Sequence, residues 1–322
     1  MLFILDSNGG EIGFFIKGKG NNICIVGKHD DNKEEALLGR NLRFFTLSHG
    51  KVSFSYTVEV FKGKCLAGVV FREREKMKIA LVLYNKNVEK IIYFSSTGNL
   101  MLWQILKTDK GFLMAGGVKE SNWDAFIVFL NRNFKVVWKN RLHFSEEYFY
   151  SVAVKGEKVF AVGRVKKGEN WEALITVFSK EGKLLESYTL GEDYKDYLRY
   201  VKNLEGQLIA VGRSEDGSGN SDLLIYDFSR YYLYDLGEYD YGRSISAYGN
   251  GFIIAGETRF NGNNDGIFLI LDKHLNPIRA YKIGWEGTDA VRFLDYPYFV
   301  GYTYSFSFSS DLLFGIFEED FK

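Results

Sequence analysis

Three arginines and four polar residues fall at matching places along the chain. Gln104, Ser151, Tyr200 and Ser244 each stand twelve residues before a glycine: Gly116, Gly163, Gly212 and Gly256. Arg199 and Arg243 come one residue earlier in two of these segments, and Arg292 comes near the same place before Gly301 through a shorter hairpin. Guanidinium groups beside hydroxyls can hold a carboxylate or a phosphate by charge-assisted hydrogen bonds. No general acid and base pair accompanies them, and the HExxH, G-x-S-x-G, GxxxxGK[ST] and paired CxxC patterns are absent. The expectation is therefore a binding protein rather than an enzyme, with no cofactor and no metal, and with a small anionic ligand or an activity at the arginines as the alternative.

Other chemistry-bearing residues are weaker signals. His29, His49, His143 and His274 are scattered and read as surface side chains. Cys24 and Cys65 could pair in an oxidising compartment, but each sits in a similar apolar run, ICIVG and KCLAG, three residues before a glycine, and they read as buried free thiols with little nucleophilic character. Asp216, Ser218, Asn220 and Asp222 alternate as in the first half of a calcium loop. The second half fails, with Ser221 where glycine is needed and Asp227 in place of the closing glutamate, so the segment reads as a loop before a strand. Trp123 and Trp171 precede corresponding apolar runs, and suit either a protein interface or stacking against a sugar ring.

These residues are positioned by a repeat. The segments NNICIVG, GKCLAG, GFLMAG, KVFAVG, QLIAVG, GFIIAG and PYFVG end at Gly27, Gly68, Gly116, Gly163, Gly212, Gly256 and Gly301, with spacings of 41, 48, 47, 49, 44 and 45. A period near 46 is that of a four-stranded propeller blade. Each unit reads as four short strands rich in Ile, Val, Phe and Tyr, parted by Gly, Asn and Asp, with no helical periodicity. The last unit, DAVRFLD, YPYFVGYTY and DLLFGIFEED, has only three strands, whereas MLFILD at the N-terminus belongs to no complete unit. Pairing strand 1–6 with the last blade removes the exposed edges. The expected fold is all-β: one domain over 1–322, a seven-bladed β-propeller of four-stranded antiparallel blades, its ring closed by the N-terminal strand.

Units such as GFLMAGGVKESNWDAFIVFLNRNFKVVWKNRL resemble the degenerate repeats of large bacterial and archaeal β-propeller proteins, in which a glycine-led strand, an Asp-initiated strand and a Trp-bearing strand recur. The Asp is kept at Asp124, Asp222, Asp265 and Asp311, with Glu172 in the fourth unit, and the Trp survives as Trp138. The resemblance implies a binding platform more often than an enzyme.

Composition agrees with a large β core: 46% hydrophobic, 17% aromatic, 34 glycines and two prolines in 322 residues. Lys and Arg total 41 and Asp and Glu total 41, which excludes a globally basic nucleic-acid binder and a disordered chain. Glutamine occurs only at Gln104 and Gln207 beside abundant Lys and Glu, a bias of heat-adapted proteins. No apolar stretch is long enough for a membrane span and the opening residues lack a signal pattern, so a cytoplasmic home is expected. Sorting charges by loop places acids such as Glu147, Glu192, Asp193, Asp196 and Asp240 on the long-loop face, and lysines such as Lys107, Lys110, Lys155 and Lys158 on the hairpin face. Aromatics, among them Tyr148, Tyr194, Tyr197, Tyr239 and Trp285, gather on the acidic side. The expected function is a scaffold that recognises a protein partner through this acidic, aromatic face. The basic hairpin face suits nucleic acid or anionic lipid.

Overall fold

The computed structural model describes residues 2–5, 9–19, 22–31, 33–48, 52–191, 195–306 and 309–318. Every regular element among them is a strand, and no helix is long and apolar enough to cross a membrane. The chain divides into two compact units, Met1–Ser95 with Ser246–Lys322, and Ser96–Ile245.

In the first unit, β1 is Leu2–Leu5, and two meanders follow: β2 (Gly10–Lys19), β3 (Asn22–Asp30), β4 (Glu34–Arg40), β5 (Arg43–Leu47), then β6 (Ser53–Phe61), β7 (Lys64–Glu73), β8 (Lys76–Tyr84), β9 (Val88–Phe94). Each forms an antiparallel four-stranded sheet in chain order. The same unit holds β23 (Gly251–Phe260), β24 (Asn263–Leu271), β25 (Pro277–Ile283), β26 (Asp289–Asp295), β27 (Tyr298–Thr303) and β28 (Asp311–Ile316). The last sheet runs β1-β28-β27-β26. The N-terminal strand thus supplies the missing fourth strand, antiparallel to β28 with Leu2 opposite Gly315 and Leu5 opposite Leu312. Met1 and Asp6 of the expected strand 1–6 lie outside the described residues. Phe268 packs edge-on against Phe299 and tilted against Phe317 in the core beside Ile253, Val291 and Leu313.

In the second unit, β10 (Asn99–Lys107), β11 (Gly111–Lys119), β12 (Trp123–Asn131) and β13 (Val136–Arg141) form one sheet, and β14 (Glu147–Lys155), β15 (Lys158–Lys167), β16 (Asn170–Ser179) and β17 (Leu184–Leu190) a second. Then come β18 (Lys195–Leu204), β19 (Gln207–Glu215), β20 (Ser221–Tyr226) and the short β21 (Tyr231–Tyr234). A single parallel bridge, Ser221 to Tyr239, joins β20 to the start of β22 (Tyr239–Tyr248). The second and third strands of a sheet are covered on both faces, so β11 and β16 read as nearly continuous apolar runs. The fourth strands are edges, and β17 exposes its first four residues.

One irregularity recurs and explains the repeat's glycine. The first strand carries a β-bulge in six repeats, where the register slips between Gly13 and Phe15, Ser55 and Thr57, Leu102 and Gln104, Phe149 and Ser151, Leu198 and Tyr200, and Val291 and Phe293. The extra residues are Phe14, Tyr56, Trp103, Tyr150, Arg199 and Arg292. Just before the bulge the backbone turns a carbonyl onto the facing second strand. A Cβ at Gly27, Gly116, Gly163, Gly212 or Gly301 would sit far inside van der Waals contact of that oxygen, belonging to Ile12, Met101, Tyr148, Tyr197 or Ala290.

A second recurrence corrects the expected charge map. Glu11, Glu147, Asp196 and Asp289, each three residues before a bulge residue, are buried, as is Asp240 at the matching place before Arg243. Two Glu147 carboxylate oxygens accept hydrogen bonds from the Phe144 and Ser145 amides, each at 2.9 Å. Asp240 Oδ2 accepts from Leu236 and Gly237 at 2.5 and 3.0 Å, and Asp289 Oδ2 accepts from Trp285 at 2.8 Å. Glu147, Asp240 and Asp289 thereby shape the connection into the first strand, and all five acids are withdrawn from the surface. Glu147, Asp196 and Asp240 therefore leave the acidic surface expected from loop sorting. Glu192, Asp193 and Tyr194 lie outside the described residues.

The free thiols are also corrected. Cys24 on β3 and Cys65 on β7 form a disulfide, with Cα atoms 5.7 Å apart and both residues fully buried. The repeat puts them at equivalent points of adjacent sheets, so a separation of 41 residues along the chain is closed in space. Such bridges form in oxidising compartments and inside hyperthermophilic cells alike.

Candidate functional site: an arginine–aromatic array in the second unit

The array is built from three kinds of position. First-strand bulges project Trp103, Tyr150 and Arg199, and Arg243 stands at the corresponding count before Gly256. The residue after the close-packed glycine of the second strand is arginine twice, Arg164 and Arg213. These pair across the ladder with Tyr148 and Tyr197. The third strands begin at or near a tryptophan, Trp123 on β12 and Trp171 on β16.

The side chains interleave. The Arg164 guanidinium lies 4.0 Å from the Trp171 ring centre, 4.9 Å from Tyr197, 5.1 Å from Tyr148 and 5.7 Å from Tyr150. Arg199 stacks between Trp103 at 4.8 Å and Tyr150 at 4.9 Å. Arg213 faces Tyr197 and Tyr239, both at 4.8 Å, and Arg243 covers Tyr241 at 3.9 Å. Trp123 packs on Tyr148 at 5.2 Å, with the Lys119 ammonium over its indole. Each cation–π contact contributes about 0.5–1 kcal/mol at an exposed site and more where water is excluded. Tyr150, Tyr197 and Tyr241 are buried, whereas Trp103, Trp123, Tyr148, Trp171 and the four arginines are half-buried. Burial pushes the Tyr148 hydroxyl up to about 12 against the opposing pull of Arg164, so the phenol is neutral.

Charge compensation is uneven. Arg213 pairs with Glu215 at 3.1 Å, and Lys195 shares that carboxylate at 2.7 Å. Arg164 meets no carboxylate within ion-pair distance among the described residues, and its Nε is buried without a hydrogen-bond partner.

Of the sequence-selected residues, the second unit thus gathers Arg199, Arg243, Trp123 and Trp171 into one array. Gln104, Ser151, Tyr200 and Ser244 are buried beside it. Gln104 Oε1 accepts the Val152 amide at 2.6 Å and Ser151 Oγ accepts the Val201 amide at 3.0 Å, which ties successive sheets together. Arg292 belongs to the first unit, over Phe14 at 5.7 Å and Tyr302 at 5.4 Å. Arg164 and Arg213 escaped selection. Their signal was the repeated Gly-Arg dipeptide in AVGRV and AVGRS.

The suspected calcium loop closes on itself: Asp216 Oδ1 accepts from the Ser218 amide and hydroxyl and from the Asn220 amide. Asp222 instead comes within 4.8 Å of Asp235 and Asp240. Burial, with the charges of Asp235 and Asp216, raises its pKa. A cavity of about 400 Å³ opens elsewhere in this unit, walled by Leu113, Phe129, Val137, Trp138, Val154 and Val159.

Among the histidines, His49 lies outside the described residues and His29 bonds Glu11 at 2.6 Å. His143 Nδ1 lies 2.8 Å from Asp124 Oδ1, and that hydrogen bond and charge hold the imidazole above its ordinary range. A raised folded-state value stabilises below the ordinary histidine pKa and is lost as pH rises through the raised one. Urea midpoints of wild type and His143→Gln are therefore expected to differ in mildly acidic buffer and to converge at alkaline pH. An imidazole titration unmoved by Asp124→Asn, followed by NMR, counts against the pair.

The chain is 62% identical over its whole length, and over 92% of the relative's, to an uncharacterized protein of Aquifex aeolicus (strain VF5). No family model matches it. Among solved structures, the β-propeller domain of the Trilobed protease from Pyrococcus furiosus matches with a TM-score of 0.57 at 12% identity over 95% of each chain. Sqt1 from Chaetomium thermophilum gives 0.52 at 11% identity over 97% of each. The tricorn protease gives 0.55 at 13% over 94% of this chain and 34% of that one. At these identities the likeness establishes the β-propeller fold and nothing of activity.

Proposed function

The chain belongs to the same family as the Aquifex aeolicus protein, and we propose that it is a binding and scaffolding module. In this reading it is one domain of seven four-stranded blades, the seventh completed by β1, and it holds a protein partner on the arginine–aromatic array. The observation that carries the reading is the composition of that array: eight Trp and Tyr rings and four arginines in mutual contact within one unit. Trp, Tyr and Arg are the residues that dominate binding energy at interfaces, because rigid rings and planar cations lose little entropy on docking. The buried loop acids shift the expected character of the face from acidic toward cationic and aromatic.

An affinity capture from the source organism's lysate, run in parallel with wild type and Trp171→Ala, tests this. A stoichiometric protein is expected on the wild type, weakened at least tenfold by the substitution, with thermal unfolding of the two baits matched. Equal retention by both baits overturns the assignment of the array.

A further inference from the structure

Resting on that reading, we propose that Arg164 is the anchor of an oxyanion site, at which the array receives a carboxylate or phosphate group. Arg164 is held among four aromatic rings, meets no carboxylate within ion-pair distance among the described residues, and keeps a buried Nε without an acceptor. Two further guanidiniums share its rings, Arg199 through Tyr150 and Arg213 through Tyr197. Arg213 pairs with Glu215, a carboxylate that Lys195 also draws on. Like charges gathered where water is partly excluded repel one another more strongly than in bulk solvent. Ring faces attract each cation but remove none of that charge. A purely structural stack would be served by one arginine between two rings.

The chemistry that completes the cluster is an oxyanion with two acceptor oxygens side by side. A carboxylate or phosphate oxygen pair can accept two parallel N–H bonds from one guanidinium, which a halide or a sugar hydroxyl cannot match. The rings supply an apolar wall for whatever carries the anion. Trp171, at 4.0 Å from the guanidinium, makes its occupation visible in fluorescence.

The test titrates the full chain with inorganic phosphate in one arm and with triglutamate in the other, reading heat and tryptophan emission. Saturable binding is expected, falling as sodium chloride is raised and weakened at least tenfold by Arg164→Gln, with Arg164→Lys intermediate because its point charge cannot form the fork. Binding in the phosphate arm alone identifies a phosphoryl ligand, and in the triglutamate arm alone an acidic peptide; both support the site. Should Arg164→Gln fail to fold, Arg199→Gln is read in its place, with a several-fold loss expected. Absence of saturable binding in both arms, or binding that neither substitution changes, overturns the inference. A partner that is captured and then lost on Trp171→Ala, with neither anion bound, overturns this site while leaving the scaffold reading intact.

Discussion

Replacing Gly163 with alanine is expected to destabilise the protein by about 3 kcal/mol or more, the upper range for forcing volume into a packed interior. The added methyl would meet the Tyr148 carbonyl oxygen, which is backbone and cannot rotate away. Relief requires β14 and β15 to part where Phe149 and Gly163 face each other, beside a core that holds Phe149, Val152 and Ala161. The same change at Gly212 or Gly301 meets Tyr197 or Ala290 in the same way. Gly156 is the control: it sits in a turn at φ 57° with open space around it, so Gly156→Asn should change little. Urea unfolding of the two variants decides the matter, and equal midpoints would remove the proposed link between the bulge and the glycine.

Loss of the Cys24–Cys65 bridge is expected to cost about 4 kcal/mol, from the chain entropy released when a loop of this length is opened. The bridge joins β3 to β7 across 41 residues, and both sulfurs are fully buried. Reductant alone should therefore act slowly on the folded protein, whereas refolding under reductant should reproduce the unfolding midpoint of the Cys24→Ala/Cys65→Ala variant. Thiol titration after denaturation without reductant checks the premise. Two free thiols per chain would show the bridge to be absent.

Much of the fold was legible because a four-stranded repeat writes itself locally. Alternating apolar strands, Gly and Asn turns and a recurring glycine each depend on neighbours within one sheet, so the strand order and the pairing of β1 with β28 followed from counting. Arg199 and Arg243 were found for the same reason: each stands thirteen residues before that glycine, and at Arg199 a bulge fixes the count. The loop acids misled because an Asp or Glu between strands has the same one-dimensional appearance whether it faces water or is buried and accepts backbone amides, as Glu147 and Asp240 do.

By itself, then, the sequence determined an all-β chain of repeated four-stranded sheets, and it marked the positions from which side chains could converge. Tertiary structure alone decided which of them meet. The disulfide joins cysteines of different sheets, and Arg164 reaches Trp171 within its own repeat but Tyr197 from the next. Such contacts depend on how one twisted sheet packs on its neighbour, a distance set by the volumes of the buried side chains between them and not by spacing along the chain.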